Sequence, residues 1–143
     1  MKIETIFCDA NIILDLIDMD RGKIEKARSF VHLALSKDIT LFTSCDILTN
    51  IYYVARKKVD KVLLVEEMLR LVDIFEIIEI DKKLAKDALI KNLHDSSLDF
   101  EDLIQLECAI SVGCDVIVTE DKKFVKGDVK SLNLDDMLTE LTT

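Results

Sequence analysis

The chain has 143 residues, half of them apolar and a third charged, which suits one domain able to bury roughly two thirds of its unfolded surface. That balance excludes a disordered chain, and no apolar run approaches the ~18 residues of a membrane-spanning helix. A net charge of -9 argues against a protein that tracks nucleic-acid phosphates through a basic surface alone.

In chain order, "IETIFCD" is a short β-branched run and predicts the first strand, followed by a helix from about Asn11 to Asp18. A second helix is predicted from about Lys23 to Ser36, where Ile24, Ala27, Phe30, Val31 and Leu35 make one apolar stripe. "ITLFTS" predicts the second strand. Ser44 is a good N-cap for a third helix through "CDILTNIYYVARKK", whose closing cations suit a helix C-terminus. "VDKVLLVEEMLRLVDIF" reads as a fourth helix, "FEIIEI" as the third strand and "DKKLAKDALIKNL" as a fifth helix. "LDFEDLIQLECAISVG" forms a sixth helix stopped by Gly113, "CDVIVTED" the fourth strand, and "NLDDMLTELTT" a last helix. Strands alternating with helices predict a three-layer α/β/α fold around a central parallel sheet.

Punctuation within the chain is sparse: there is no proline and only three glycines, so residues 1–143 are read as a single domain. Acidic residues appear at once (Glu4, Asp9) and no basic segment precedes an apolar stretch, which predicts a cytoplasmic protein without a signal peptide. Cys8, Cys45, Cys108 and Cys114 make no C-x-x-C pair, and His32 and His94 stand at no zinc-ligand spacing. These thiols read as reduced and partly buried.

Ligands of such sheets bind beyond the carboxyl ends of the strands, where strand order reverses. Asp9 ends the first predicted strand, Ser44 ends the second, and the fourth runs out into Thr119, Glu120 and Asp121. Asp99 and Asp102 share one face of the sixth helix's first turn, which leads into the fourth strand. Four carboxylates therefore converge on one edge. Two unit charges 4 Å apart repel by ~4 kcal/mol at an effective dielectric near 20, so the cluster calls for a cation. Oxygen-only donors favour a hard ion, Mg²⁺ or Mn²⁺, which polarises a phosphodiester and supplies a hydroxide nucleophile.

Each acid has a plainer reading. Asp9 would serve as N-cap of the first helix, and Asp99 as the cap in the "D-F-E-D" box. Asp121 would serve as a turn former. Capping does not explain why the acids share an edge, so a functional role is expected for Asp9, Asp102 and Asp121, while Asp99 is left equally open to capping. Asp15 stands open between supporting the site and a solvated position. Asn11, Ser44 and Thr43 are expected to orient Asp9, with capping as the alternative for Asn11 and Ser44. Tyr52 and Tyr53 suit a core or a subunit interface better than base stacking. Of three cation groups, beginning at Arg21, Arg56 and Lys122, Lys122 and Lys123 follow Asp121 directly and stand equally open between holding phosphates that flank a scissile bond and forming a solvated loop.

These residues carry a resemblance. "FCDANIILDLI" resembles the opening D-x-N motif of PIN-domain nucleases, and "FTSCDILTNIYYVAR" their serine or threonine ahead of a helix. "LDFEDLIQLECAISVGCDVIVTEDKKF" resembles their third and fourth motifs run together. The resemblance spans nearly the whole chain and implies a PIN-like fold and a metal-dependent endonuclease of single-stranded RNA, commonly the toxin of a toxin–antitoxin pair. Asp9, Asp102 and Asp121 match the family's metal-binding acids, with Asp99 and Asn50 completing the catalytic set and Thr119 supporting it. Where the family usually has a glutamate on the third helix this chain has Asn50, and Glu120 stands where many toxin-type members carry arginine. An antitoxin and a homodimer are the implied partners, the latter also suggested by the apolar third and fourth helices. A phosphatase of the haloacid type needs an acid where Asn11 stands. The stronger alternative is a catalytically weakened PIN-like module that binds protein or RNA, for which Asn50 is the best evidence.

Overall fold

Each of the four β-branched runs forms a strand, and all lie parallel in one sheet that also contains a fifth. The computed structural model describes residues 2–143. In order, the elements are β1 (Thr5–Cys8), α1 (Ala10–Ile17), a 3-10 turn (Met19–Arg21), α2 (Ile24–Ser36), β2 (Thr40–Ser44), α3 (Cys45–Ala55) and α4 (Lys61–Ile74). β3 (Glu76–Ile78), α5 (Lys82–His94), α6 (Phe100–Ser111), β4 (Val116–Val118), β5 (Lys130–Leu132) and α7 (Leu134–Thr142) follow. The strand order is β3-β2-β1-β4-β5.

That order explains the composition of the strands. β1 and β4 lie inside the sheet, and Ile6, Phe7, Cys8, Val116, Ile117 and Val118 are all fully buried, as parallel strands covered on both faces require. β5 is an edge strand of three residues, Lys130, Ser131 and Leu132, with no apolar run to announce it. It exists because Val116, Ile117 and Val118 offer it a parallel register.

Helices cover the sheet in two groups. α1 contacts α2 and α3, and α2 contacts α7; α5 and α6 pair with each other, and α6 also lies on β2. Aspartates set most of the helix starts: Asp9, Asp60, Asp81 and Asp99 each accept a backbone N–H of the following first turn, satisfying a donor that would otherwise lack a partner. The third helix is shorter than expected and ends at Ala55, leaving Lys57 and Lys58 in the turn before α4. Gly113 has φ 66 and stops α6 as anticipated.

The sheet starts are tied as well. The Asp115 carboxylate accepts from the backbone N–H groups of Glu4 and Thr5 and from the Thr5 hydroxyl, and these bonds hold its carboxyl below the usual carboxylate range. The four cysteines are free, three of them buried, and burial pushes the Cys108 and Cys114 thiols up to about 12. They act as small apolar residues.

After α1 the chain folds back through the 3-10 turn. Asp18 caps it by accepting from Asp20, and Gly22 closes it at φ 72. Replacing Gly22 with alanine puts a Cβ in the left-handed region and is expected to cost about 1 kcal/mol, read as a lower midpoint in urea unfolding with an unchanged slope.

Candidate active site

The strand order reverses between β1 and β4, and the register Cys8 to Val118 sets the next residues, Asp9 and Thr119, side by side. Asp9 N–H donates to the Val118 carbonyl at 3.2 Å, so the acid is fixed by the sheet itself. The residue is 4% exposed. One carboxylate oxygen accepts from Ile12 N–H at 3.1 Å and the other from the Thr119 hydroxyl. Thr119 Oγ1 in turn accepts from Asp121 N–H at 3.1 Å, so one threonine links two of the expected metal ligands.

A cavity of about 350 Å³ opens at this edge. β1 and α1 contribute Asp9, Asn11 and Leu14; α3 contributes Asn50 and Val54; α6 contributes Glu101, Asp102 and Gln105; Asp121 and Arg21 complete the wall. Burial pushes the Asp9 carboxyl up to about 6, against the lowering pull of Thr119 and of the Ile12 and Asn11 N–H groups, with Asp121 adding repulsion. Burial also pushes Asp102 up to about 7, helped by the charges of Asp99, Asp121, Asp9 and Glu101. The acids thus feel one another, as a shared site requires.

The remaining expected residues fall as follows. Asp99 caps α6 through Asp102 N–H at 3.0 Å and adds its charge to Asp102. Asn50 lines the cavity and donates its amide to Glu101 at 2.7 Å, bringing a carboxylate to the position where α3 supplies none. Glu101 was hidden by the capping pattern around it. The Ser44 hydroxyl bonds Asp46 rather than Asp9, whereas Thr43 donates to the Cys8 carbonyl at 2.9 Å and ties β2 to β1 beside Asp9. Asn11 lines the cavity, and its backbone N–H favours the charged Asp9. Glu120 accepts from Leu134 N–H at 2.9 Å and so anchors the start of α7. Lys122 borders a neighbouring cavity of about 270 Å³ with Asp121, Phe124 and Lys126 rather than this one, and Lys123 is exposed. Asp15, which the sequence left open, is fully buried and paired with Arg21.

Among the described residues no three carboxylate, histidine or cysteine side chains already close round a point that would hold an ion. A hydrated hard cation does not need such a cage, since Mg²⁺ usually keeps several waters and takes one or two carboxylates. The donors present are all oxygen, and the buried Gln105 carbonyl oxygen, one turn beyond Asp102, has no partner among the described residues. That set fits a hydrated Mg²⁺ or Mn²⁺.

The raised pKa values carry a prediction. Unfolded aspartates titrate near ~3.9, so between about 4 and 7 the folded chain binds more protons than the unfolded one, and stability falls as pH rises through that window. Asp115, shifted the other way, acts only below it. Metal-free protein is therefore expected to melt higher at pH 5 than at pH 8, and Mn²⁺ to raise the midpoint more at pH 8, as read by scanning calorimetry.

A parallel five-stranded sheet with carboxylates gathered where its strand order reverses defines a class: α/β proteins suited to binding a hard cation at the sheet edge. The PIN domain model matches residues 5–123. Ribonuclease VapC1 of Aquifex aeolicus is 30% identical over all of this chain and 99% of its own length. The chain belongs to the PIN-domain family. Among solved structures it is similar to VapC20 of Mycobacterium tuberculosis, a Sarcin-Ricin loop cleaving toxin, with TM-score 0.68, 16% identity, and 83% of this chain and 92% of that one covered. It is also similar to a toxin–antitoxin complex from Klebsiella pneumoniae, with TM-score 0.66, 19% identity, and coverage of 90% and 96%. At these identities the likeness concerns the fold.

Proposed function

We propose that the chain is a Mg²⁺- or Mn²⁺-dependent endoribonuclease that hydrolyses phosphodiester bonds of single-stranded RNA, and the toxin of a toxin–antitoxin pair. The observation that carries this reading is that Asp9, Asp102 and Asp121 line one cavity at the switch point, where the Asp121 charge helps raise the carboxyls of both Asp9 and Asp102. The full-length relative is a ribonuclease by name, which supports RNA as the substrate.

Asp9, Asp102 and Asp121 would hold the ion, which when bound supplies charge neutralisation at the phosphate and an activated water. Thr119 keeps Asp9 and Asp121 at a fixed spacing through its hydroxyl. Asn50 and Glu101, joined by their hydrogen bond, border the space beside Asp102 where the attacking water is oriented. The rigid strand end that carries Asp9 limits the reorganisation needed during reaction.

Partner surfaces accompany this reading. α4 buries Leu64 and Leu71 but leaves Val62, Val65, Leu69 and Val72 exposed in one stripe at three- and four-residue spacing. This stripe suits a homodimer contact. A groove of about 380 Å³ between α1, α2 and α4, lined by Leu16, Ile17, Val31, Leu35, Leu71 and Ile74 among others, suits an apolar antitoxin segment.

The second reading, a binding module with weakened catalysis, draws on Asn50. Cleavage of a labelled single-stranded RNA with Mn²⁺, with Mg²⁺ and with chelator, beside an Asp9→Asn control, separates the two. Metal-dependent cleavage absent from the control is expected; several RNAs left uncut with either ion would favour the binding module.

A further inference from the structure

Asp15 and Arg21 stand apart from the carboxylate set, yet one of them reaches the same cavity. Asp15 sits in α1 with its side chain 1% exposed, a position where an apolar residue would lose no hydration. Its Oδ1 accepts from Arg21 Nε at 2.6 Å, and its Oδ2 is buried with no partner among the described residues. An ion pair with a buried carboxylate is a poor way to secure a turn, because desolvation of that carboxylate offsets much of the attraction.

Arg21 forms part of the cavity wall beside Asp9, Asn50, Asp102 and Asp121, and it is the one cation among the cavity's lining residues. With Nε held by Asp15, its two Nη groups are left for a ligand. A guanidinium stays charged, and its planar fork matches phosphate oxygens. An acidic cavity on a chain of net charge -9 needs such a group if a polyanion is to enter. Lys122 and Lys126 border the neighbouring cavity instead, Lys26 pairs with Asp135 at 2.8 Å, and Lys58 lies 3.6 Å from Asp18.

We propose that Arg21 grips an RNA phosphate inside the active-site cavity and that Asp15 is a positioning residue that aims it. This rests on the ribonuclease reading above. The pair then has a purpose beyond folding: the buried carboxylate fixes the guanidinium by one edge and presents the other to the substrate.

The test compares wild type, Asp15→Asn/Arg21→Gln and Arg21→Lys by kcat/KM on a single-stranded RNA across a salt series, with thermal midpoints measured alongside. The double variant keeps a neutral hydrogen-bonded pair, and its kcat/KM is expected to fall about tenfold, the worth of one charge-assisted hydrogen bond. The slope of log kcat/KM against log salt should flatten by about 0.7, one phosphate contact on a single strand. Arg21→Lys retains the ion pair and hence the fold, and is expected to keep the slope but lose several-fold in kcat/KM with the lost fork. Unchanged kcat/KM and slope in the double variant, with wild type active, would overturn this inference alone and leave a structural ion pair. If the double variant melts out, Arg21→Lys decides, and wild-type kcat/KM there overturns the proposal. Wild type inactive on every RNA would remove the ribonuclease reading and this inference with it.

Discussion

Asp102→Asn is expected to lower RNA cleavage by about 10²-fold or more while raising the thermal midpoint of the metal-free protein at pH 8. The first effect follows from removing a charged ligand at the proposed ion, where loss of a single well-placed group commonly costs 10²–10³ in rate, roughly 3–4 kcal/mol. The second follows from electrostatics. Burial and the charges of Asp99, Asp121, Asp9 and Glu101 hold the Asp102 carboxyl up at about 7, so at pH 8 the folded chain keeps it ionised at a cost that asparagine does not incur. Function and stability move in opposite directions at one residue, and calorimetry with a cleavage assay reads both. A variant that loses activity and melts lower would point to damage to the fold instead.

Arg21→Met alone is expected to be destabilising by roughly 3 kcal/mol, which for a chain of this size lowers the midpoint by roughly 10 °C. The value lies at the low end for a buried pair because the arginine side chain is 31% exposed while Asp15 is 1% exposed. The loss comes from leaving Asp15 buried without its cation, not from the attraction itself. The double variant Asp15→Leu/Arg21→Met should therefore recover most of the loss, a non-additivity that a double-mutant cycle in urea measures. Equal losses in the single and double variants would mean that Arg21 acts through packing of its stem.

Much of this was legible in the chain because the strongest signals are periodic. β1, β2 and β4 are β-branched runs bounded by polar residues, and the rule for parallel sheets places Asp9, Thr119 and Asp121 at one edge. β5 was not legible, since Lys130, Ser131 and Leu132 carry no pattern and gain strand character only from β4. Arg21 appeared merely as one cation of a surface group. Its position depends on the 3-10 turn closed by Gly22 and on a carboxylate six residues earlier, and local propensity encodes neither. Glu101 was masked because Asp99 and Asp102 account for the first turn of α6 as a capping box. Lys122 was expected at the site by adjacency to Asp121, but adjacency in sequence does not set direction: Asp121 accepts from Lys123 N–H at 2.9 Å in a tight turn, and Lys122 borders the neighbouring cavity. Ser44 is at the end of β2 as expected, yet its hydroxyl is taken by Asp46 within its own helix start.

The proposed function requires that the carboxylates at the ends of β1 and β4 and on α6 hold a divalent ion. Anomalous scattering from crystals soaked in Mn²⁺ tests it most directly. A single strong peak bounded by Asp9, Asp102 and Asp121 is expected, absent from the Asp102→Asn protein. An empty cavity at saturating Mn²⁺, or a peak held by other residues, would contradict it.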